Sequence, residues 1–180
     1  MKVLLDACVL YPTVMREMLL GVAATGAYQP LWSARILEEW ALAARKLGPG
    51  GEAQARGEIA LVSARWPRAE VPVAPGLEAR LWLPDPADVH VLAAAVAGSA
   101  DVIVTMNAKD FPRDILAEEG LSRADPDGFL LRVCEAQPEA VAEVGAAVLA
   151  EARRLSGEDW EMRALMKKAR LPRLGKALTR

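Results

Sequence analysis

Histidine occurs once in this chain of 180 residues, at position 90, and cysteine only twice, at 8 and 134. A single histidine excludes multi-histidine metal chemistry. Two cysteines so far apart suggest neither a disulfide framework nor a zinc site, which fits a reduced cytosolic setting. No uncharged apolar stretch is long enough to span a bilayer. The amino terminus passes from Met1 and Lys2 directly into VLLD, without the layout of a signal peptide. Repeats and low-complexity segments are also missing. These absences point to a soluble, cytoplasmic protein. What is present, 53% hydrophobic and 26% charged residues, is the balance of a globular chain with room for a real core.

Charge is spread unevenly. Residues 153–180 carry nine Lys or Arg against three acids, a net +6, while the rest of the chain is −8. An acidic body with a basic tail suggests a polyanionic ligand, self-association through opposite patches, or simply a solvated terminal helix.

Strand-like and helix-like runs alternate along the chain. KVLLD (2–6) predicts a strand, 11–26 a helix ending at a glycine, and QPLWS (29–33) a second strand. A helix capped by Ser33 and stopped by Gly48 follows, then another from 52 to 66. VPV (71–73) reads as a third strand, PDPADVHVLAAAVAG as a helix, 101–105 as a strand, and LSRA (121–124) as a weak fifth strand. From Asp127 onward the pattern is helical. Such alternation predicts an α/β fold: a parallel sheet flanked by helices, with a helical carboxyl-terminal extension.

The acids fall at the ends of these elements. Asp6 ends the first strand, Asp85 and Asp88 open a helix, and Asp110 follows the strand at 101–105, so three chain segments bring carboxylates to one sheet edge. On the helical wheel of 34–47, Ile36, Leu37, Trp40, Ala44 and Leu47 form an apolar stripe with Glu39 on its margin and Glu38 turned away. Clustered carboxylates repel one another unless a cation neutralises them, and an all-oxygen set selects a hard ion, Mg²⁺ or Mn²⁺. Each acid also has a structural explanation. Asp85-Pro86 is a good N-cap, Asp88 suits a helix dipole, and Asp110 can cap a helix beginning near Phe111. Asp6, inside V-L-L-D-A-C-V-L, is harder to dismiss, because an unpartnered charge there is costly. His90, in a helix rich in Val, Leu and Ala, reads as a packed core residue. Asn107 is expected to turn the chain, since it tolerates left-handed backbone angles.

LLDACVLYP, WSARILEEW, PDPADVHVLAAA and IVTMNAKDFP, in this order and spacing, resemble the motifs of PIN-domain ribonucleases, most nearly the VapC-type toxins. The resemblance covers about residues 1–130 and leaves 131–180 as a helical extension with the basic tail. It places the family's first acid on Asp6, its helical glutamate on Glu39 and its third acid on Asp88. The fourth acid falls on Asn107, a departure that Asp110, three residues on, can offset. The resemblance implies a PIN-like parallel sheet, Mg²⁺-dependent cleavage of single-stranded RNA, a homodimer, and a cognate antitoxin. On that reading Asp6 and Asp88 are the principal metal ligands, Glu39 a ligand or general base, and Asp110 an outer ligand. Thr105 and Asn107 orient water, metal or phosphate.

Two other classes compete. A haloacid-dehalogenase-like phosphatase also starts from a strand-ending aspartate, but its second residue onward is usually an acid, and here that position is Cys8. The other alternative is a catalytically inactive PIN-like binding module.

Overall fold

The computed structural model describes residues 1–180. In chain order the elements are β1 (Lys2–Leu5), α1 (Ala7–Leu10), α2 (Thr13–Ala24), β2 (Gln29–Leu31), α3 (Ala34–Ala43), α4 (Gly51–Arg65), α5 (Leu77–Arg80) and α6 (Val89–Ala97). Then come β3 (Val102–Val104), α7 (Arg113–Glu118), β4 (Ser122–Ala124), α8 (Pro126–Ala136), α9 (Pro138–Ser156), α10 (Met162–Lys168) and α11 (Pro172–Ala177). Single turns of 3-10 helix at Ala44–Leu47, Pro86–Asp88 and Ala108–Asp110 lead into or out of them. No helix is long and apolar enough to cross a membrane.

The four strands pair in parallel, in the order β2-β1-β3-β4. β1 and β3 are central, and apart from half-buried Lys2 at the start of β1 both are short runs of Val, Leu and Ile with almost no exposure, as expected of strands covered on both faces. From β1 the chain goes to one side for β2 and then to the other for β3 and β4, so the strand order reverses between β1 and β3. In open parallel sheets the crevice beyond the carboxyl ends of two such strands is where ligands bind.

The chain forms two compact units. The first comprises Met1–Tyr11 and Gln29–Ala124 and contains the whole sheet; the second comprises Pro12–Tyr28 and Asp125–Arg180 and is helical. The sequence divides at about residue 130, whereas the structure groups α2 with α8–α11. In the second unit α2 and α9 approach closely at Gly21, where an added Cβ would stand 2.6 Å from Val144 Cγ1. Tyr28 packs edge-on against Phe129, with ring centres 5.0 Å apart. Buried Asp127 accepts hydrogen bonds from Arg173 N and Nε and from Leu174 N, which fastens the start of α11 to α8.

Two local expectations change. The helix expected over 11–26 is α2, Thr13–Ala24, and an unexpected short helix, α1 (Ala7–Leu10), precedes it; the two are separated at Tyr11–Pro12, because Pro12 cannot donate a helical hydrogen bond. VPV is not a strand. The chain there meets β2's extension through one parallel bridge, Trp32 to Glu70, with Val71 N donating to Trp32 O at 2.8 Å. Pro72 has no amide with which to continue a ladder. The short α5 has no sequence signal that separates it from a loop.

Candidate active site

Register explains how the first two polar groups meet. Leu5 of β1 lies opposite Val104 of β3, so the next residues, Asp6 and Thr105, stand side by side one step beyond the paired strands. Asp6 is 5% exposed and Thr105 is 1% exposed. Thr105 Oγ1 donates to Asp6 Oδ2 at 2.7 Å, and Cys8 Sγ donates to the same oxygen at 3.1 Å. Met106 N in turn donates to Cys8 Sγ at 3.2 Å, and Asn107 N to Thr105 Oγ1 at 3.0 Å. Both side-chain donors converge on Oδ2, so Oδ1 accepts none. Burial, and then the charge of Asp6, push the Cys8 thiol up to about 12, so it stays protonated and acts as a donor.

Asp6 and Asp88 share a second peculiarity. Each occupies the N-cap position of a helix, Asp6 for α1 and Asp88 for α6, yet neither side chain caps it. Elsewhere the chain uses caps normally: Ser33 accepts from Ile36 N, Asp85 from Ala87 N, and Asp125 from Gly128 N. Asp85 is therefore accounted for as a cap, whereas the carboxylates of Asp6 and Asp88 are turned to something else. Burial raises the Asp88 carboxyl to about 6, with further contributions from Asp6, Asp110, Asp85 and Glu39. Asp88 thus senses every acid singled out in the sequence.

Asp110 ends the 3-10 turn after β3, is half-buried, and makes no side-chain hydrogen bond. It does not cap α7, whose N-cap is Pro112. Asn107 departs from expectation. Its φ is −100°, outside the left-handed region, and the turn is held instead by Thr105 Oγ1 receiving the Asn107 amide. The Asn107 side chain is exposed.

On α3, Glu38 is exposed and forms a bidentate pair with Arg56, at 2.8 Å to each oxygen, while Glu39 turns toward His90. His90 Nε2 stands 2.7 Å from Glu39 Oε1, and Arg35 Nε lies 3.9 Å from the same oxygen. The His90 ring is 2% exposed, so it is a buried residue, as expected, but one that touches an acid of the site. Cys8 and Arg35 are site neighbours that sequence reasoning misses. Arg35 has a usable signal, its i,i+4 spacing to Glu39; Cys8 has none beyond its distance of two residues from Asp6.

The arrangement concentrates negative charge without closing a coordination shell. No group of three or more His, Cys, Asp or Glu side chains stands close enough to hold one metal ion. The donor set nevertheless suits a hard divalent cation: oxygen ligands only, one carboxylate oxygen of Asp6 without a protein partner, and an Asp88 carboxyl held protonated to unusually high pH by burial and neighbouring acids.

Comparison with known proteins decides the family. The sequence profile of the PIN domain matches residues 2–109, which include every residue of this constellation except Asp110. The chain belongs to the PIN-domain family. Over 57 residues this PIN domain is 47% identical to VapC50, a protein of Mycobacterium tuberculosis named as a candidate ribonuclease. That match spans 32% of the chain and 34% of the relative, so only about a third of each protein is compared. No solved structure matches the chain.

Proposed function

We propose that this PIN domain is an endoribonuclease that hydrolyses phosphodiester bonds of single-stranded RNA with the help of Mg²⁺ or Mn²⁺. The observation that carries the reading is the unneutralised charge around Asp88, at the β1/β3 switch point of a PIN-family sheet. Asp6 and Asp88 would hold the cation, with Asp110 farther out. Bound there, the cation supplies neutralisation of phosphate charge and a water that loses its proton more readily. Thr105 and Cys8 fix the Asp6 carboxylate by donating to Oδ2 and so aim Oδ1 outward. Glu39, steadied by His90 and Arg35, either joins the ligands or accepts the proton of the attacking water. Thr105 and Asn107 orient water or phosphate at the mouth of the site. In-line attack by water leaves a 5′-phosphate and a 3′-hydroxyl. The likeness to VapC50 supports a wider reading: the cytoplasmic toxin of a type II toxin–antitoxin module, acting as a homodimer and held by an antitoxin.

The test is cleavage of single-stranded RNA by the purified chain with Mg²⁺, repeated in excess chelator. Activity that survives the chelator, or 2′,3′-cyclic phosphate ends, would sink the mechanism. The second reading, an inactive PIN-like binding module, draws support from the absence of three closely grouped ligands. Calorimetric titration with Mg²⁺ separates the two: the nuclease binds the ion through Asp6 and Asp88, and the inactive module does not.

A further inference from the structure

Beside Glu39, within the sheet-containing unit, lies a cavity of about 170 Å³. Its walls include Arg35, Glu70, the extended segment Val71–Val73, Glu78 and His90. The volume is below the roughly 300–1,000 Å³ of sites that take drug-sized ligands, which leaves room for a single small ring system. Two of its residues, Arg35 and His90, are also the ones that approach Glu39, so an occupant would be separated from Glu39 by a single layer of side chains.

His90 gives the cavity chemical meaning. Its ring is 2% exposed, and Nδ1 is buried without a hydrogen-bond partner. Nε2, although 2.7 Å from Glu39 Oε1, is not aligned with it as a hydrogen bond. A buried polar atom left in this way costs about 1–3 kcal/mol, and native proteins seldom tolerate it without a reason. A polar ligand in the cavity would supply that reason. Among the lining side chains, Arg35 Nη1 lies 3.4 Å from Glu78 Oε2, which sets a donor beside an acceptor, and Glu70 adds a second carboxylate. Val71, Pro72 and Val73 offer apolar contact to a flat face.

We propose that this cavity is a nucleobase subsite that selects guanine at a nucleotide adjoining the scissile phosphate. Guanine alone presents a carbonyl oxygen followed by two neighbouring N–H donors on its Watson–Crick edge, matching one guanidinium and two carboxylates. Adenine, cytosine and uracil each leave a carboxylate facing an acceptor or facing nothing. Reading splayed-out bases along that edge is how proteins recognise single-stranded RNA. The proposal rests on the RNA-cleavage reading for its biological use, but not for its binding test.

That test is titration of the full chain with GMP, AMP, CMP and UMP in chelator, so that no cleavage machinery is engaged. GMP is expected to bind about tenfold more tightly than the other three, the discrimination of one good bidentate contact. Glu78→Gln removes an acceptor, and Val73→Trp fills the space from a half-buried position; each should abolish the preference. Equal affinities for all four nucleotides, or a preference that survives both substitutions, overturns the subsite. In parallel, cleavage of an RNA of random sequence should show guanine enriched at one position beside the cut and the enrichment lost in Glu78→Gln. Cleavage without base preference overturns the proposal. Selective GMP binding that both variants lose, in a chain that cuts no RNA, upholds the subsite and removes the nuclease reading instead.

Discussion

At the scale of single residues, the Asp6 carboxylate is buried and held by two donors on one oxygen, so replacement by Asn keeps the shape and removes the charge. Asp6→Asn and Asp88→Asn should therefore stay folded yet lose RNA cleavage, checked by melting temperature and by cleavage assay on the same preparations. Thr105→Val deletes a 2.7 Å hydrogen bond to a buried carboxylate and should cost about 1.5–3 kcal/mol by denaturant unfolding, whereas Thr105→Ser should restore most of it. Asp88 makes stability depend on pH. Its folded carboxyl titrates near 6 against an ordinary value of 3.8. The folded state thus binds the proton more tightly than the unfolded chain. This contribution is fully present below about pH 3.8 and is lost as pH rises through 6. In chelator, the melting temperature of the unmodified chain should fall over that window relative to Asp88→Asn, and Mg²⁺ should remove the difference by binding the ionised form.

At the scale of elements, the turn after β3 is built on Thr105. Thr105 does two jobs there, donating to Asp6 and accepting the Asn107 amide. The turn needs only the Asn107 backbone, so Asn107→Ala should fold normally and cut RNA with a modest loss. Asp110→Asn should reduce cleavage more, because its carboxylate caps nothing and adds to the charge around Asp88. A silent Asp110→Asn beside an inactive Asn107→Ala would instead give the fourth position to Asn107. The elements themselves are largely legible in the sequence. Val102–Val104 announces a covered strand, Ser33 a helix start, and the PDPADV stretch an N-terminus. Legibility fails where a partner decides the outcome. VPV has the composition of a strand, but the one bridge there is made by Glu70 to Trp32, and the short helix Ala7–Leu10, directly after β1, carries no signal of its own.

For the whole molecule, the second unit draws α2 from near the start of the chain and α8–α11 from its end. Asp127 is a principal tie among the later helices, since it receives three hydrogen bonds from Arg173 and Leu174. Asp127→Ala strands those donors and should lower stability by about 2–3 kcal/mol in chemical unfolding. The basic tail is partly committed already. Arg153 pairs with Asp159, Arg154 with Glu151, Arg173 with Asp125 and Asp127, and Lys168 lies 4.5 Å above the Trp160 ring. Arg163, Lys167 and Lys176 are the better candidates for contact with RNA. Replacing them by Gln should flatten the salt dependence of RNA binding by about 0.7 in log–log slope for each phosphate no longer neutralised. An unchanged slope would make the tail a solvated surface.

The sequence by itself determined the class of fold and the family, and nominated the acids, because these follow from short-range signals: β-branched runs, periodic apolar stripes, capping residues, and four motifs in order. It could not determine what the acids do with their side chains. That Asp6 and Asp88 sit at N-caps without capping follows from where strand register and the first turn of α6 put their carboxylates. That Cys8 is a hydrogen-bond donor to Asp6, and that His90 is buried against Glu39 with one nitrogen unpartnered, depends on contacts that no short-range pattern encodes. Periodicity reports which face of an element is buried. Only tertiary packing chooses the neighbour waiting there, and the chemistry of this PIN domain lies in those choices.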